Sequence, residues 1–303
     1  MARPERSDED GRAIMCPILF HLGPIPVPSY GVFAAIALVV AMLAVRKVAA
    51  IENRDPQETM DTMFWSIMVG LAGARVLEAA INWERYFATP GGLRLLVFST
   101  GVFFGGLVSA LAFGAWRFHR TGLPVLQGLD ILAPVAAVTE AVGRWGCFLS
   151  GCCWGTPTDL PWAVTFPAVA QHLHRGLPGV PLHPTQIYFS LNGFLLLGIV
   201  VWVYARKRFH GQVITVFVAL YAISRFLLEY VRGDAERGFV LGGLLSTSQL
   251  VALGLFVAAV AGYVALDRRH RVSGEPDWKP AAAPRVAPAT AAAGGRKPGK
   301  GRR

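Results

Sequence analysis

The chain is organised in hydropathic blocks. Apolar stretches recur at approximately 30–48, 61–82, 100–118, 124–143, 184–205, 211–231 and 246–266, with Pro, Gly and charged residues filling the intervals. Each block approaches the roughly 20 residues that a helix needs to cross a hydrocarbon core of about 30 Å. In lipid the backbone must satisfy its own hydrogen bonds, and a helix does so within one segment. The pattern predicts an all-α polytopic membrane protein with about seven transmembrane helices.

The flanks divide the chain further. Residues 1–27 form an N-terminal outer-face segment, 28–268 a transmembrane domain, and 269–303 a basic tail. Residues 2–12 carry three Arg against four acids with no apolar run directly after them, so the start does not read as a secretory signal. Cys16 follows Met15 rather than a small residue, which argues against a lipoprotein cysteine. From about residue 272 the chain turns to Pro, Ala, Gly and basic residues, too poor in apolar side chains to build a core, and disorder is expected there.

Composition sharpens the membrane reading. Hydrophobic residues make up 53% and charged residues 16%, against about 25% charged in a typical soluble domain. The net charge of +10 would suggest nucleic acid, but ten of the 29 Lys and Arg lie at or after Arg268. A basic juxtamembrane tail reads instead as contact with anionic lipid, at about 1 kcal/mol per cation near the surface, or simply as a solubilising segment. No nucleic-acid partner is expected.

Short loops on the cytoplasmic face carry excess Lys and Arg. Arg46, Lys47, Arg54, Arg117, Arg120, Arg206, Lys207 and Arg208 satisfy that rule with the tail inside and the N-terminus outside, while Arg85, Arg94, Arg175 and Arg237 fall on the other face. Counting spans then brings Tyr30, Arg75, Glu78, Phe104, Gly105, Gly106, Glu140, Arg144, His183, Arg225, Glu229 and Arg232 to the outer ends of the helices.

Within the spans, an arginine near the bilayer centre costs about 3 kcal/mol, so a retained one has a partner or a task. Arg75 precedes Glu78 by three residues, Glu140 precedes Arg144 by four, and Arg225 precedes Glu229 by four, spacings that place each pair on one helix face. One reading is three internal salt bridges. The other starts from Arg232, which extends the Arg225 face by another turn, with Asp234 nearby, and leaves positive charge over. A planar guanidinium grips phosphate through two hydrogen bonds, and an anionic phospholipid is the ligand class expected at that depth.

The segment from Gly143 to Gly155 sets four glycines, Gly143, Gly146, Gly151 and Gly155, around Arg144 at the end of a span, and carries three cysteines, Cys147, Cys152 and Cys153. Irregular backbone at membrane depth is tolerated only where it is buried in protein or lines a cavity. A re-entrant or irregular loop after the fourth span is therefore expected, with a tight helix-packing turn as the alternative. For the cysteines a Cys147–Cys152 disulfide, packed free thiols and a catalytic thiol all stay open. A metal site lacks a clear fourth ligand unless His172, His174 or His183 folds over it, and no metal is expected.

The spacing Gly143-Arg144-x-Gly146-x-Phe148-x-x-Gly151-x-x-x-Gly155 resembles the signature of the prolipoprotein diacylglyceryl transferases. Tyr30-Gly31, Gly73-Ala74-Arg75, Gly105-Gly106-Leu107, His183-Pro184-Thr185-Gln186-Ile187-Tyr188, Arg225-x-x-x-Glu229-x-x-Arg232 and Gln249 resemble further family motifs, in order, over roughly residues 20–266. The resemblance implies transfer of a diacylglyceryl group from phosphatidylglycerol to the lipobox cysteine thiol of a prolipoprotein, recognised through its signal-peptide region. It implies a multi-pass protein of the bacterial inner membrane, with its site at the periplasmic leaflet and no cofactor. On the matching positions Arg144 and Arg225 would hold the phosphate. With Phe104 in place of the family histidine, His183 is the nearest remaining imidazole candidate for a base, while a His before Pro at a helix start reads equally as a structural hydrogen-bonding residue and the arginine field is the other means of activating the thiol. Tyr30, Arg75, Gly105, Gly106, Gly146, Gln186, Glu229 and Arg232 would shape the head-group site.

Two departures stand out. Phe104 occupies the position of a family histidine and can accept no proton, and Cys147, Ser150 and Cys152 replace family Asn, Asn and Glu. These leave open a divergent paralogue that keeps the lipid-binding fold but performs another lipid transfer or thiol-redox chemistry. A transporter or channel would suit paired intramembrane charges, yet no inverted repeat is apparent.

Overall fold

The computed structural model describes residues 16–88, 91–97, 99, 101–166, 179–233, 238–240 and 244–278. His172, His174, Arg175, Asp234, Arg237 and most of the basic tail lie outside the described residues. Helices dominate, in the order α1 Ser29–Ile51, α2 Pro56–Ile81, α3 Trp83–Phe87, α4 Gly92–Val97, α5 Phe103–Arg120, α6 Val125–Ser150, α7 Thr185–Tyr204, α8 Gln212–Leu228 and α9 Thr247–Ser273. Among the described residues, strands occur only as three short two-stranded hairpins, the first pairing Ile18–Leu22 with Ile25–Pro28 ahead of α1.

Six helices are long and apolar enough to cross a membrane: α1, α2, α6, α7, α8 with the following turn to Val231, and α9. The chain is an integral, all-α, polytopic membrane protein. The expected segment at 100–118 is also helical, but α5 carries Arg117, His119 and Arg120 in its last turn, so its apolar stretch is short. It runs antiparallel along α2, as the order of contacts shows. A methyl on Gly70 would fall 3.1 Å from Gly106 O, one on Gly105 would fall 2.6 Å from Gly73 O, and Val102 N donates to Ala74 O. Small residues of this kind let membrane helices approach backbone to backbone.

The centre of the bundle is α6, packed against α1 on one side and α7 and α8 on the others. Ala133, Ala137, Leu196, Val200, Val203, Val213 and Phe217 form a buried core between α6, α7 and α8. The α6–α7 contact is close because Gly193 offers no side chain: a methyl there would lie 2.8 Å from Ala141 N. Ser190 Oγ also donates to Ala141 O at 2.7 Å, which ties α7 to α6 through a backbone carbonyl.

One end of the bundle is closed by buried charge. Lys207, between α7 and α8, places Nζ 2.5 Å from Glu52 Oε1 and 3.0 Å from Asp130 Oδ2, with all three side chains fully buried. Asp130 also accepts from Gly211 N and Ile214 N, capping the start of α8. Gln127 bridges Glu52 to Arg54, and the Tyr204 hydroxyl donates to Glu52. Lys207, one of the basic residues between α7 and α8, is interior, where two carboxylates from α6 and the end of α1 neutralise it. Helix α9 continues to Ser273, and Trp278 returns to donate its backbone N–H to Arg208 O and lay its ring 4.7 Å from Lys207 Nζ.

Candidate functional site

The opposite end gathers the helix termini that carry the unusual residues. Helix α6 does not stop near Gly143, as the glycine content suggested; it runs to Ser150 and ends where Gly151 takes a left-handed conformation, φ +71°. Arg144, Gly146 and Cys147 therefore ride on helical backbone, and the irregular stretch begins only at Gly151. Glycine tolerates helical geometry when packing rewards it, and here Gly146 lies against α1, where a methyl would meet Phe33 Cβ at 2.9 Å and Tyr30 Cα at 3.3 Å.

Beyond Gly151 three segments cross at one point. Gly155 N donates to His183 O, His183 N donates to Thr156 O, Thr156 N donates to Val231 O, and Gly233 N donates to Trp154 O. Gly155 sits at the crossing: a methyl there would stand 2.6 Å from Val231 O and 2.8 Å from His183 O. This junction joins the loop after α6, the entry to α7 and the exit from α8. It fixes where Arg144 and Arg232 stand relative to each other.

Inside the junction, three guanidinium groups surround one aromatic ring. Arg144 lies 4.3 Å from the ring centroid of Phe189, Arg225 lies 5.5 Å from it and Arg232 lies 5.6 Å from it. Phe189 is 1% exposed. A phenyl face attracts cations through its quadrupole, so a buried ring can hold together charges that repel one another. Phe189 was not singled out from the sequence, where it is one apolar residue within an apolar run.

Two of these arginines have acidic partners one helical turn away. Glu140 Oε1 lies 3.4 Å from Arg144 Nη2, and Glu229 pairs with Arg225. Arg225 Nη2 further donates to Ser248 Oγ at 3.1 Å, and Glu229 Oε1 accepts from Ser246 Oγ at 3.0 Å. Ser246 and Gln249 form a reciprocal capping box that starts α9. Arg144, Arg225 and Arg232 bring three guanidinium groups to one place, the donor type that grips an anion. The expected salt bridges at 140/144 and 225/229 are present.

The other sequence-predicted residues divide. Arg75 Nη1 donates to Leu71 O, and Glu78 accepts from the Tyr86 hydroxyl at 2.5 Å. Gly105 and Gly106 lie where α5 approaches α2: a methyl on Gly105 would fall 2.6 Å from Gly73 O and one on Gly106 3.1 Å from Gly70 O. Tyr30 is 55% exposed at the start of α1. Half-exposed Phe104 stands at the start of α5. His183 Nδ1 lies 3.1 Å from Tyr188 Oη, which already accepts from Trp162 Nε1 at 2.7 Å.

Gln186 is fully buried and donates through Nε2 to Cys152 O, and Thr185 Oγ1 donates to Cys153 O, both at 2.6 Å. These bonds pin the cysteine loop to the start of α7. Gln186 is thereby a loop anchor, and its Oε1 is buried without a hydrogen-bond partner among the described residues. Cys147, Cys152 and Cys153 are free thiols with no bond between Cys147 and Cys152. Their sulfurs lie within 4.8 Å of one another. Hydrogen bonds from Cys147 and Cys152, with Arg232 and Arg144 close by, hold the Cys153 thiol far below its usual range. Cys152 is pushed up by its own bonds to the other two sulfurs.

The chain is similar to known proteins over most of its length. Residues 17–265 match the family model described as prolipoprotein diacylglyceryl transferase. A phosphatidylglycerol–prolipoprotein diacylglyceryl transferase of Finegoldia magna is 30% identical over 80% of this chain and 92% of its own length. One from Streptomyces coelicolor is 32% identical over 87% of this chain and 76% of its own length. One from Azotobacter vinelandii is 32% identical over 82% and 93%.

Proposed function

Because the chain belongs to the prolipoprotein diacylglyceryl transferase family, we propose that it transfers the diacylglyceryl group of phosphatidylglycerol to a cysteine thiol of a prolipoprotein. The observation that carries this reading is the convergence of Arg144, Arg225 and Arg232 on the ring of Phe189. We further infer that the protein lies in the bacterial inner membrane with this end at the periplasmic leaflet and the tail in the cytoplasm.

The chemistry explains the need for clustered guanidinium groups. The substrate thiol sulfur attacks the diacylglyceryl carbon bonded to the phosphate oxygen. A carbon–sulfur bond forms, the carbon–oxygen bond breaks, and glycerol phosphate departs. The phosphodiester carries one negative charge, whereas the departing monoester carries up to two. The charge that appears in the transition state is what fixed guanidiniums stabilise, and removing one such donor typically costs about 10²–10³ in rate. Arg144 and Arg225 take the phosphate, Arg232 supports them, and Glu229 orients Arg225.

The thiol must also lose its proton. His183 Nδ1 lies 3.1 Å from Tyr188 Oη, and in the tautomer that donates Nδ1–H to that oxygen Nε2 is an acceptor. His183 in this tautomer is the base of the proposal, and Phe104 supplies none.

The test is expression in a bacterium depleted of its own diacylglyceryl transferase. Wild type is expected to restore growth and lipoprotein modification, and Arg144→Ala to fail. A wild-type protein that is expressed and membrane-inserted yet does not restore growth overturns the proposal.

A further inference from the structure

The cysteine trio has no part in the transfer reaction described above, yet it is built with care. Cys147 lies on the last turn of α6, Gly151 turns the chain back, and Cys152 N donates to Cys147 O at 3.1 Å. Cys153 then adopts φ +62°, a left-handed conformation that a non-glycine residue holds at a cost of order 1–3 kcal/mol. Two fully buried side chains, Thr185 and Gln186, clamp the carbonyls of Cys153 and Cys152 in that arrangement. The outcome of the strain and the clamps is that three sulfurs face one another within 4.8 Å.

A disulfide does not account for the third sulfur. Any one bond among three thiols leaves one unpaired, and a bond between the adjacent Cys152 and Cys153 would close a strained ring. A metal ion uses all three. With metal–sulfur bonds of about 2.3 Å, a three-thiolate site in trigonal geometry has sulfurs roughly 4 Å apart. Side-chain rotation closes the remaining difference. Three thiolates also select by softness: they suit thiophilic d10 ions such as Cu(I) and Zn(II) over Mg(II) or Ca(II).

We propose that Cys147, Cys152 and Cys153 bind a single thiophilic d10 metal ion through three thiolates at the end of α6, next to the arginine cluster. Binding releases the thiol protons and requires no oxidant. Trigonal Cu(I) needs no further ligand, whereas Zn(II) would take water in a fourth position.

The reduced full-length protein in detergent, stripped of metal, is titrated with Zn(II) and separately with Cu(I) under anaerobic conditions. Stoichiometry is measured by elemental analysis after gel filtration, and thiolate coordination by ultraviolet charge-transfer absorption. One ion per chain is expected from at least one of the two titrations, with all three cysteines shielded from alkylation. Each single Cys→Ser change is expected to weaken binding at least about tenfold, since even changes outside the ligand set commonly cost that much. Cys153→Gly, which suits the positive φ and so keeps the fold, is expected to weaken it likewise. The proposal is overturned by fewer than about 0.1 ions per chain from both titrations, by undiminished binding in the triple Cys→Ser variant, or by a disulfide in the protein from native membranes that persists with metal present. The readout is metal content, so it stands or falls separately from the transfer reaction.

Discussion

Lys207 Nζ stands 3.0 Å from Asp130 Oδ2, and neither side chain reaches the surface. Glu52 completes the group, so the end of the bundle remote from the arginine cluster is held by one cation between two anions contributed by α6 and the end of α1. Removing one member of a buried ionic group leaves the others uncompensated, at a cost of about 3–5 kcal/mol. Lys207→Met is expected to lower the melting temperature of the detergent-solubilised protein substantially. Lys207→Met combined with Asp130→Asn should recover part of the loss. An unchanged melting temperature in the single variant would contradict the assignment.

At the other end the ring of Phe189 is expected to matter for rate rather than for fold. Phe189→Leu keeps an apolar side chain in the core but removes the quadrupole that three guanidiniums share, each contact being worth about 0.5–2 kcal/mol. A fall of roughly tenfold or more in kcat/KM is expected in a transfer assay with phosphatidylglycerol and a lipobox peptide, with protein yield and monodispersity preserved.

Arg144→Lys tests shape against charge. The lysine keeps the cation but loses the planar fork that grips two phosphate oxygens. Activity is expected to drop by about 10–10² in the same assay, less than for Arg144→Ala, while membrane insertion is retained. Full activity in Arg144→Lys would show that charge alone suffices.

Gly155→Ala addresses the junction. The added methyl meets two backbone carbonyls that belong to different segments, and neither can retreat without breaking the crossing. Overpacking of this sort costs about 1–3 kcal/mol. Loss of activity accompanied by increased protease sensitivity of the loop after α6 is the expected outcome.

His210 gives a pH dependence. It lies between the membrane-spanning helices α7 and α8, its Nδ1 is buried without a hydrogen-bond partner, and burial, reinforced by Lys207, pushes its pKa down. The unfolded chain therefore binds the His210 proton more readily than the folded one. The stability this confers is present above the ordinary histidine pKa and is lost as pH falls below it. Melting temperatures measured from pH 7.5 down to 5.5 should decline, and His210→Gln should flatten that decline.

What the sequence determined by itself is the solvent and the register of the chain along it. Apolar block length sets helix length, so the helical segments and the residues near their ends followed from local composition, as did the grouping of Arg144, His183, Arg225 and Arg232 at one end. Tertiary structure decided which side chains meet, because that depends on how each helix is rotated and on contacts between residues far apart in sequence. Lys207 has the look of a surface cation until Glu52, 155 positions away, is brought against it. That Gly105 and Gly106 sit against the backbone of α2 is likewise a fact of the folded bundle. The glycines after residue 143 suggested an early helix end, but α1 packs on Gly146 and the helix continues. Phe189 carries no mark in an apolar run; only the folded bundle turns it toward three arginines, where its ring face organises charge.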